Sequence, residues 1–294
     1  MIESIKLKNT KSGQIITIDQ DQSQFVLTEL DLGQVSGTHN SYSFYNQIGS
    51  TIESTTIENR PVSITGWVIG DTDKEITTNK KFLNKFINPL QDIQLMVYDR
   101  YSLTFRPDYS VRYGKTIQEN NECMCKFLIQ GTCGNPLFGL VDMELISMST
   151  TEPKFKFPLI IPQSTGIILG NKKNNRLEQI ENDGDFPTGM IITLMAKGSV
   201  VQPKITLVET QESIELKKTL EAGETVIIST IYGEKYIDGI VNGVRSNYLG
   251  HLKYPSTWLQ LNPGSNAIQY SAQSGVDTLQ VTIEFSPGYM EVEQ

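Results

Sequence analysis

Cysteine and histidine are scarce: three cysteines and two histidines stand among 294 residues. An odd and small cysteine count excludes a disulfide framework and suits a reducing compartment. Basic charge is short as well. With 25 Lys and Arg against 33 Asp and Glu, the formal net charge is −8, which removes the broad positive footprint that nucleic-acid binding needs. Long apolar runs are missing too: Met190 to Ala196 and Phe157 to Pro162 fall far short of the roughly 18 residues of a bilayer-spanning helix, so no membrane anchor is expected. Met1 to Lys8 alternates polar and apolar residues and offers no basic patch followed by an apolar stretch. No secretory signal is visible there, and synthesis in a cytoplasm is expected.

What is present is an ordinary folding composition, 38% hydrophobic and 20% charged, in a chain long enough for two domains at about 150 residues each. The dominant pattern is period-two alternation. It is clearest where Leu279, Val281, Ile283 and Phe285 face one way and Gln280, Thr282 and Glu284 the other, the mark of a half-buried strand. Similar stretches occur at Ile5 to Leu7, Phe25 to Leu32, Val62 to Ile69, Ile93 to Tyr98, Leu103 to Phe105 and Cys123 to Ile129. Further candidates are Met190 to Leu194, Lys204 to Val208, Thr225 to Ser229, Tyr236 to Val241, Trp258 to Leu261 and Ala267 to Ser271. The fold class is therefore mainly β.

One segment breaks the pattern. From Lys74 to Asn88, residues Ile76, Phe82, Leu83, Phe86 and Ile87 fall within an arc of about 140°, which predicts an amphipathic helix lying on a sheet. Asp71 or Thr72 can cap its start, Pro89 marks its end, and Lys74, Lys81 and Asn84 are expected to face solvent. Alternation stops near Ser149 to Glu152, ahead of the proline-bounded segment Lys154 to Pro162, which predicts two β domains, 1–150 and 151–294. Gly170 to Asn175 reads as a hairpin tip or exposed loop.

The inventory for chemistry is thin. Cys123 and Cys125 would share one face of a strand, but with Cys133 they make three ligands where zinc needs four, and packed thiols are the plainer reading. His39 lies in a polar stretch and is expected to be solvated; His251 can pack on Tyr254. No G-x-S-x-G elbow is present, and Gly166 to Lys172 has the wrong glycine spacing for a phosphate loop. Asp183 and Asp185 flank Gly184, a pair that can bind calcium or serve as acid and base in glycoside cleavage, although Asp-Gly-Asp is more often a turn. No metal or cofactor is expected.

Tyr42, Phe44 and Tyr45 lie in a loop-like stretch between Gly37 and Gly49 and must pack on something to avoid an exposed apolar patch. A neighbouring subunit and the rest of the same chain are both open as that surface. Trp258 can stack on a sugar ring or alternate into a core.

The C-terminal stretch from Trp258 to Ile268, Trp-Leu-Gln-Leu-Asn-Pro-Gly-Ser-Asn-Ala-Ile, followed by Ser274-Gly275 and the strand Leu279 to Phe285, resembles the C-terminal domain of phage distal tail proteins. In that family Leu-x-Pro-Gly-x-Asn-x-Ile forms a tight turn between strands of a galectin-like β-sandwich; here its residues are Leu261, Pro263, Gly264, Asn266 and Ile268. The residue chemistry agrees independently, since Pro263 presets φ, Gly264 permits positive φ and Asn266 can bond nearby backbone. Asn182 to Pro187, leading into Met190 to Leu194, is similar to the family's approach to that sandwich. Arg60 to Gly66 and Cys133 to Phe138 resemble, more loosely, parts of its ring-forming domain.

The resemblance implies a structural protein of the virion tail tip, or baseplate, with no catalytic role. Its N-terminal β-rich belt domain, carrying one helix, would assemble as a homohexameric ring that continues the tail tube. Its galectin-like domain would anchor a hub or spike protein and receptor-binding or other baseplate proteins. Within that picture Tyr42, Phe44 and Tyr45 and the helix region are the interface candidates. Two rival readings remain: a carbohydrate-binding module working through Trp258 and nearby tyrosines, which fold likeness alone does not license, and a hydrolase using Asp183 and Asp185.

Overall fold

The computed structural model describes residues 2–20, 24–121, 123–153, 170–174 and 176–292. The apolar run Phe157 to Pro162, the proline-bounded segment Lys154 to Pro162 and the first part of Gly166 to Lys172 lie outside the described residues.

Contacts divide the chain into two units: 1–141 together with the residues from Tyr289 onward, and Asp142–Gly288. The first unit opens with β1 (Ser4–Asn9), β2 (Ile15–Asp19), β3 (Phe25–Asp31), β4 (Gly37–Tyr42), β5 (Thr51–Ile57) and β6 (Arg60–Ile69). It continues through α1 (Asp73–Phe86), β7 (Ile93–Val97), β8 (Tyr101–Pro107), β9 (Arg112–Tyr113), β10 (Met124–Cys133) and β11 (Gly139–Leu140). Nine of these strands form one sheet in the order β11-β8-β7-β1-β2-β3-β6-β10-β9, and a further pairing of β8 with β10 closes it into a barrel.

Alternation builds the barrel core. Along β6, Val62, Ile64 and Val68 point inward, and from β10 so do Cys125, Phe127 and Ile129. Between Val62 and Val68 on that inner face stands Gly66, where a Cβ would fall 2.3 Å from the Val26 carbonyl and 2.6 Å from the Phe127 ring. Only glycine lets the backbones come that close. The helix packs where its period required. Thr72 caps it by accepting from the Glu75 N–H, Leu83 and Phe86 join the barrel core, and Lys74, Lys81 and Asn84 face solvent. Two residues depart from the expected arc: Phe82 stays partly exposed, stacked on Phe25, while Asn79 is buried because its amide donates to the Ile69 carbonyl at 3.0 Å.

The second unit comprises β12 (Glu144–Ser147), β13 (Ser149–Pro153), β14 (Gly170–Asn174), β15 (Leu177–Asn182), β16 (Met190–Ala196), β17 (Val200–Val201) and β18 (Lys204–Leu207). There follow β19 (Ser213–Glu215), β20 (Thr219–Leu220), β21 (Thr225–Ser229), β22 (Tyr236–Val241), β23 (Val244–Asn247), β24 (Gly264–Ser271) and β25 (Leu279–Phe285). A six-stranded sheet, β12-β25-β16-β21-β22-β23, and a four-stranded sheet, β15-β24-β18-β19, contribute to one core. Ile192, Leu194, Val226, Ile228, Val281 and Ile283 come from the larger sheet, and Ile180, Ile205, Ile268 and Tyr270 from the smaller. Burial of such side chains stabilises by about 1.5–3 kcal/mol each, so alternation alone supplies the driving force for the sandwich.

Several local expectations change. The units divide at Asp142, ahead of the polar stretch Ser149 to Glu152, because Glu144 to Ser147 already pair with β25. That polar stretch is itself strand β13, paired with β14, so Gly170 to Asn174 is a strand where a hairpin tip was expected. Trp258 to Leu261 forms no regular strand; only Leu261 bridges, to Thr188. The chain end returns to the first unit through a bridge between Phe138 and Tyr289. Arg60, 1% exposed, lies there with its guanidinium 4.8 Å from the centre of the Phe138 ring, and its Nη2 donates to the Met290 carbonyl. Burial holds this guanidinium below its usual pKa. Arg60 also pairs with Cys133 across β6 and β10, so the two loosely matching stretches of the first unit meet at one buried arginine.

Candidate assembly surface

The ribbon β4–β5 stands outside both units' larger sheets as a sheet of its own. It prolongs β3 and β6 in step: Asp31 faces Ser63, the Glu58 N–H donates to the Ser36 carbonyl at 2.8 Å, and Gly37 faces Ile57. A slip between Asn40 and Ser41 makes Glu53 the extra residue of a bulge, a device that twists a ribbon and discourages indiscriminate edge pairing. From Gly37 to Tyr42 the rise is on the order of 20 Å. Every side chain from Gly37 to Ile57 is exposed. Cross-strand bonds hold it: the His39 ring lies 2.8 Å from the Thr55 hydroxyl, and the Asn40 amide donates to Ser54 at 3.1 Å.

The tip is organised locally. The Gln47 N–H donates to the Phe44 carbonyl at 3.0 Å, the Phe44 N–H donates to the Gln47 side chain at 2.9 Å, and Asn46 and Gly49 take positive φ. Tyr42 and Phe44 meet edge to face at 5.2 Å between ring centres. This turn presents Phe44 at 70%, Tyr45 at 95% and Ile48 at 102% exposure. Of the three sequence-selected aromatics Tyr42 and Phe44 meet and Tyr45 stands free in the same turn, on a β-arm where a loop was expected. Burial under the same chain is overturned, since a paired ribbon running on from β3 and β6 carries them away from the barrel. Sequence reading missed Ile48, which the same turn leaves fully exposed.

The remaining candidates resolve into structure. Leu261 and Ile268 are buried, and Gly264 has φ +88°. The Asn266 side-chain oxygen Oδ1 accepts from the Asn262 N–H at 2.9 Å while its Nδ2 donates to the backbone carbonyls of Asn262 and Gly264 at 2.7 and 2.8 Å. Asn182, paired opposite Gly264, donates to the carbonyls of Leu261 and Phe186 at 2.9 and 3.1 Å, so the two sequence motifs of this unit lock together. Asp183-Gly184-Asp185 is the adjoining turn, with both carboxylates exposed and the Asp185 N–H donating to the Gly288 carbonyl at 2.8 Å.

The cysteines do not converge: Cys123 precedes β10 and is exposed, Cys125 and Cys133 are buried, and burial pushes the Cys133 thiol up to about 12. Cys123 and Cys125 therefore do not share a strand face as expected. Among the described residues no group of three or more His, Cys, Asp and Glu is placed to hold a metal ion. Trp258 is half-buried against the core with the Lys235 ammonium 5.8 Å from its ring centre, and His251 packs on Tyr248 instead of Tyr254.

Residues 183–289 match the family described as Siphovirus-type tail component, C-terminal domain. The crystal structure of SPP1 Dit (gp 19.1), described as a paradigm of hub adsorption apparatus in phages infecting Gram-positive bacteria, is similar with a TM-score of 0.66 at 14% identity, over 97% of this chain and 98% of that one. A chain of the phage P2 baseplate in its activated conformation with Ca is similar with a TM-score of 0.54 at 12% identity, over 98% of each chain. The corresponding structure with Sr gives a TM-score of 0.55 at 12% identity, over 97% of this chain and 98% of that one. No curated protein matches the sequence. The resemblance to phage distal tail proteins is shown, on the family match in the second unit and on the fold along nearly the whole chain.

Proposed function

We propose that this chain is a structural hub of a phage-type tail tip. Six copies of the first unit close into a ring that continues the tail tube, and the second unit holds a hub or spike protein and receptor-binding or other baseplate proteins. Its place is the virion tail tip, and its synthesis is in the host cytoplasm. One observation carries the assembly reading: a hydrogen-bonded β-arm exposes Tyr42, Phe44, Tyr45 and Ile48 near its tip, with Tyr42 and Phe44 edge to face. An aromatic side chain can bury about 150–250 Å² at an interface, so such a tip is a hot-spot cluster in search of a pocket. The tail-component match of residues 183–289 and the hub-like fold support the wider assignment.

Mass photometry and negative-stain imaging of purified protein and of detached tail tips test this. The expected particle is a six-membered annulus, lost in the double variant Tyr42→Ala and Phe44→Ala. A single copy per tail tip, or rings unchanged by the double variant, overturns the reading. The carbohydrate-binding rival has weaker support because Trp258 is half-buried and Lys235 lies over its ring.

A further inference from the structure

The arm needs a receptor, and the first unit carries a cleft that matches it. Outward from β9 and β10 lies a space of about 800 Å³ lined by Arg112, Lys115, Lys126 and Glu119 around Tyr113 and Leu128. Its walls are preformed. The Gly114 N–H donates to the Lys126 carbonyl at 2.9 Å, the Lys126 N–H to the Glu119 carbonyl at 2.7 Å, and the Tyr113 hydroxyl to the Lys80 carbonyl at 3.0 Å. Apolar groups stand beside it. Ile117, between Lys115 and Glu119 in sequence, is 88% exposed, and exposed Tyr109 lies under the Arg112 guanidinium.

We propose that this cleft receives the arm tip of a second copy of the same chain. The inference rests on the ring reading above and names its acceptor. Charge complementarity singles out the arm: between Gly37 and Ile57 there is no Lys or Arg and one carboxylate, Glu53, with Glu58 just beyond. Among the described lining residues of the cleft, three cations face one carboxylate. An apolar tip on a stem that carries Glu53 and no cation therefore meets a basic rim beside apolar side chains, the arrangement that steers and orients association.

Geometry excludes the arm's own cleft. The cleft residues Leu128 and Lys126 face Thr65 and Trp67 of β6, whereas the arm runs away from them beyond Ser63. Along the ribbon, Thr65 and the tip residue Thr51 are on the order of 45 Å apart. A donor tip and an acceptor cleft that are different patches of one chain make a head-to-tail contact, which closes into a ring when the rotation permits.

The test places a photo-crosslinking phenylalanine derivative at position 45 of the full chain and irradiates assembled rings or tail tips. Copy-to-copy crosslinks within residues 109–128 are the expected result. Copy-to-copy crosslinks elsewhere overturn the cleft and leave the ring reading standing; assembled particles without copy-to-copy crosslinks overturn the arm as the assembling element as well. As an independent arm, Arg112→Glu with Lys126→Glu is expected to raise the protein concentration needed for assembly at least about tenfold, with partial recovery when Glu53→Lys is added. Unchanged assembly by the folded double variant also overturns the cleft.

Discussion

Two turns of this molecule use the same devices for opposite ends. At the arm tip, Asn46 and Gly49 supply positive φ and the Gln47 side chain bonds the Phe44 backbone; in the second unit, Gly264 supplies positive φ and Asn266 bonds the Asn262 and Gly264 backbone. The difference is what surrounds them. Around Asn266 lie Leu261 and Ile268, both buried, and Asn182 crosses to the Leu261 carbonyl. Around Gln47 the apolar side chains face water. Local turn chemistry sets backbone shape in both places, and long-range packing decides whether the shape finishes a core or awaits a partner.

Mutations can break that contrast, the largest effect coming from the buried turn. Asn182→Ala with Asn266→Ala strands several buried carbonyls and N–H groups, and a loss of about 3–4 kcal/mol in the second unit is expected from chemical denaturation. A loss under about 1 kcal/mol would mean that water replaces those bonds. Gly264→Ala isolates the backbone: a Cβ there meets nothing within 4 Å, so only the positive φ is penalised, and a loss of about 1–2 kcal/mol is expected. The smallest stability effect belongs to the arm. Tyr42→Ala with Phe44→Ala is expected to stay within about 0.5 kcal/mol of the parent in the unassembled protein, because those rings touch chiefly each other, while ring formation is lost. A large fall in melting temperature of that monomer would show that the tip supports its own unit.

Legibility followed burial. β21 and β22 have the bounds that alternation predicted because each presents one face to the core and one to solvent. β4 and β5 escaped because every position is exposed, so Thr, Ser and Asn replace any alternation, and a strand without a buried face leaves no period to read. The aromatics Tyr42, Phe44 and Tyr45 were visible in the sequence, whereas the exposure of Ile48 in the same turn was not. The cysteine spacing suggested a shared strand face, but β10 begins at Met124, which leaves Cys123 outside it.

By itself the sequence determined the β-rich class, the place of the amphipathic helix to within two residues at each end, and the Pro263 to Asn266 turn, because each depends on residues within a few positions of one another. Tertiary structure alone decided that the chain end returns to Arg60, that Asn182 ties the two second-unit motifs at Leu261, and that the arm runs on in register from β3 and β6. Those contacts join residues far apart in the chain, and their free energy exists only once the intervening segments have folded between them.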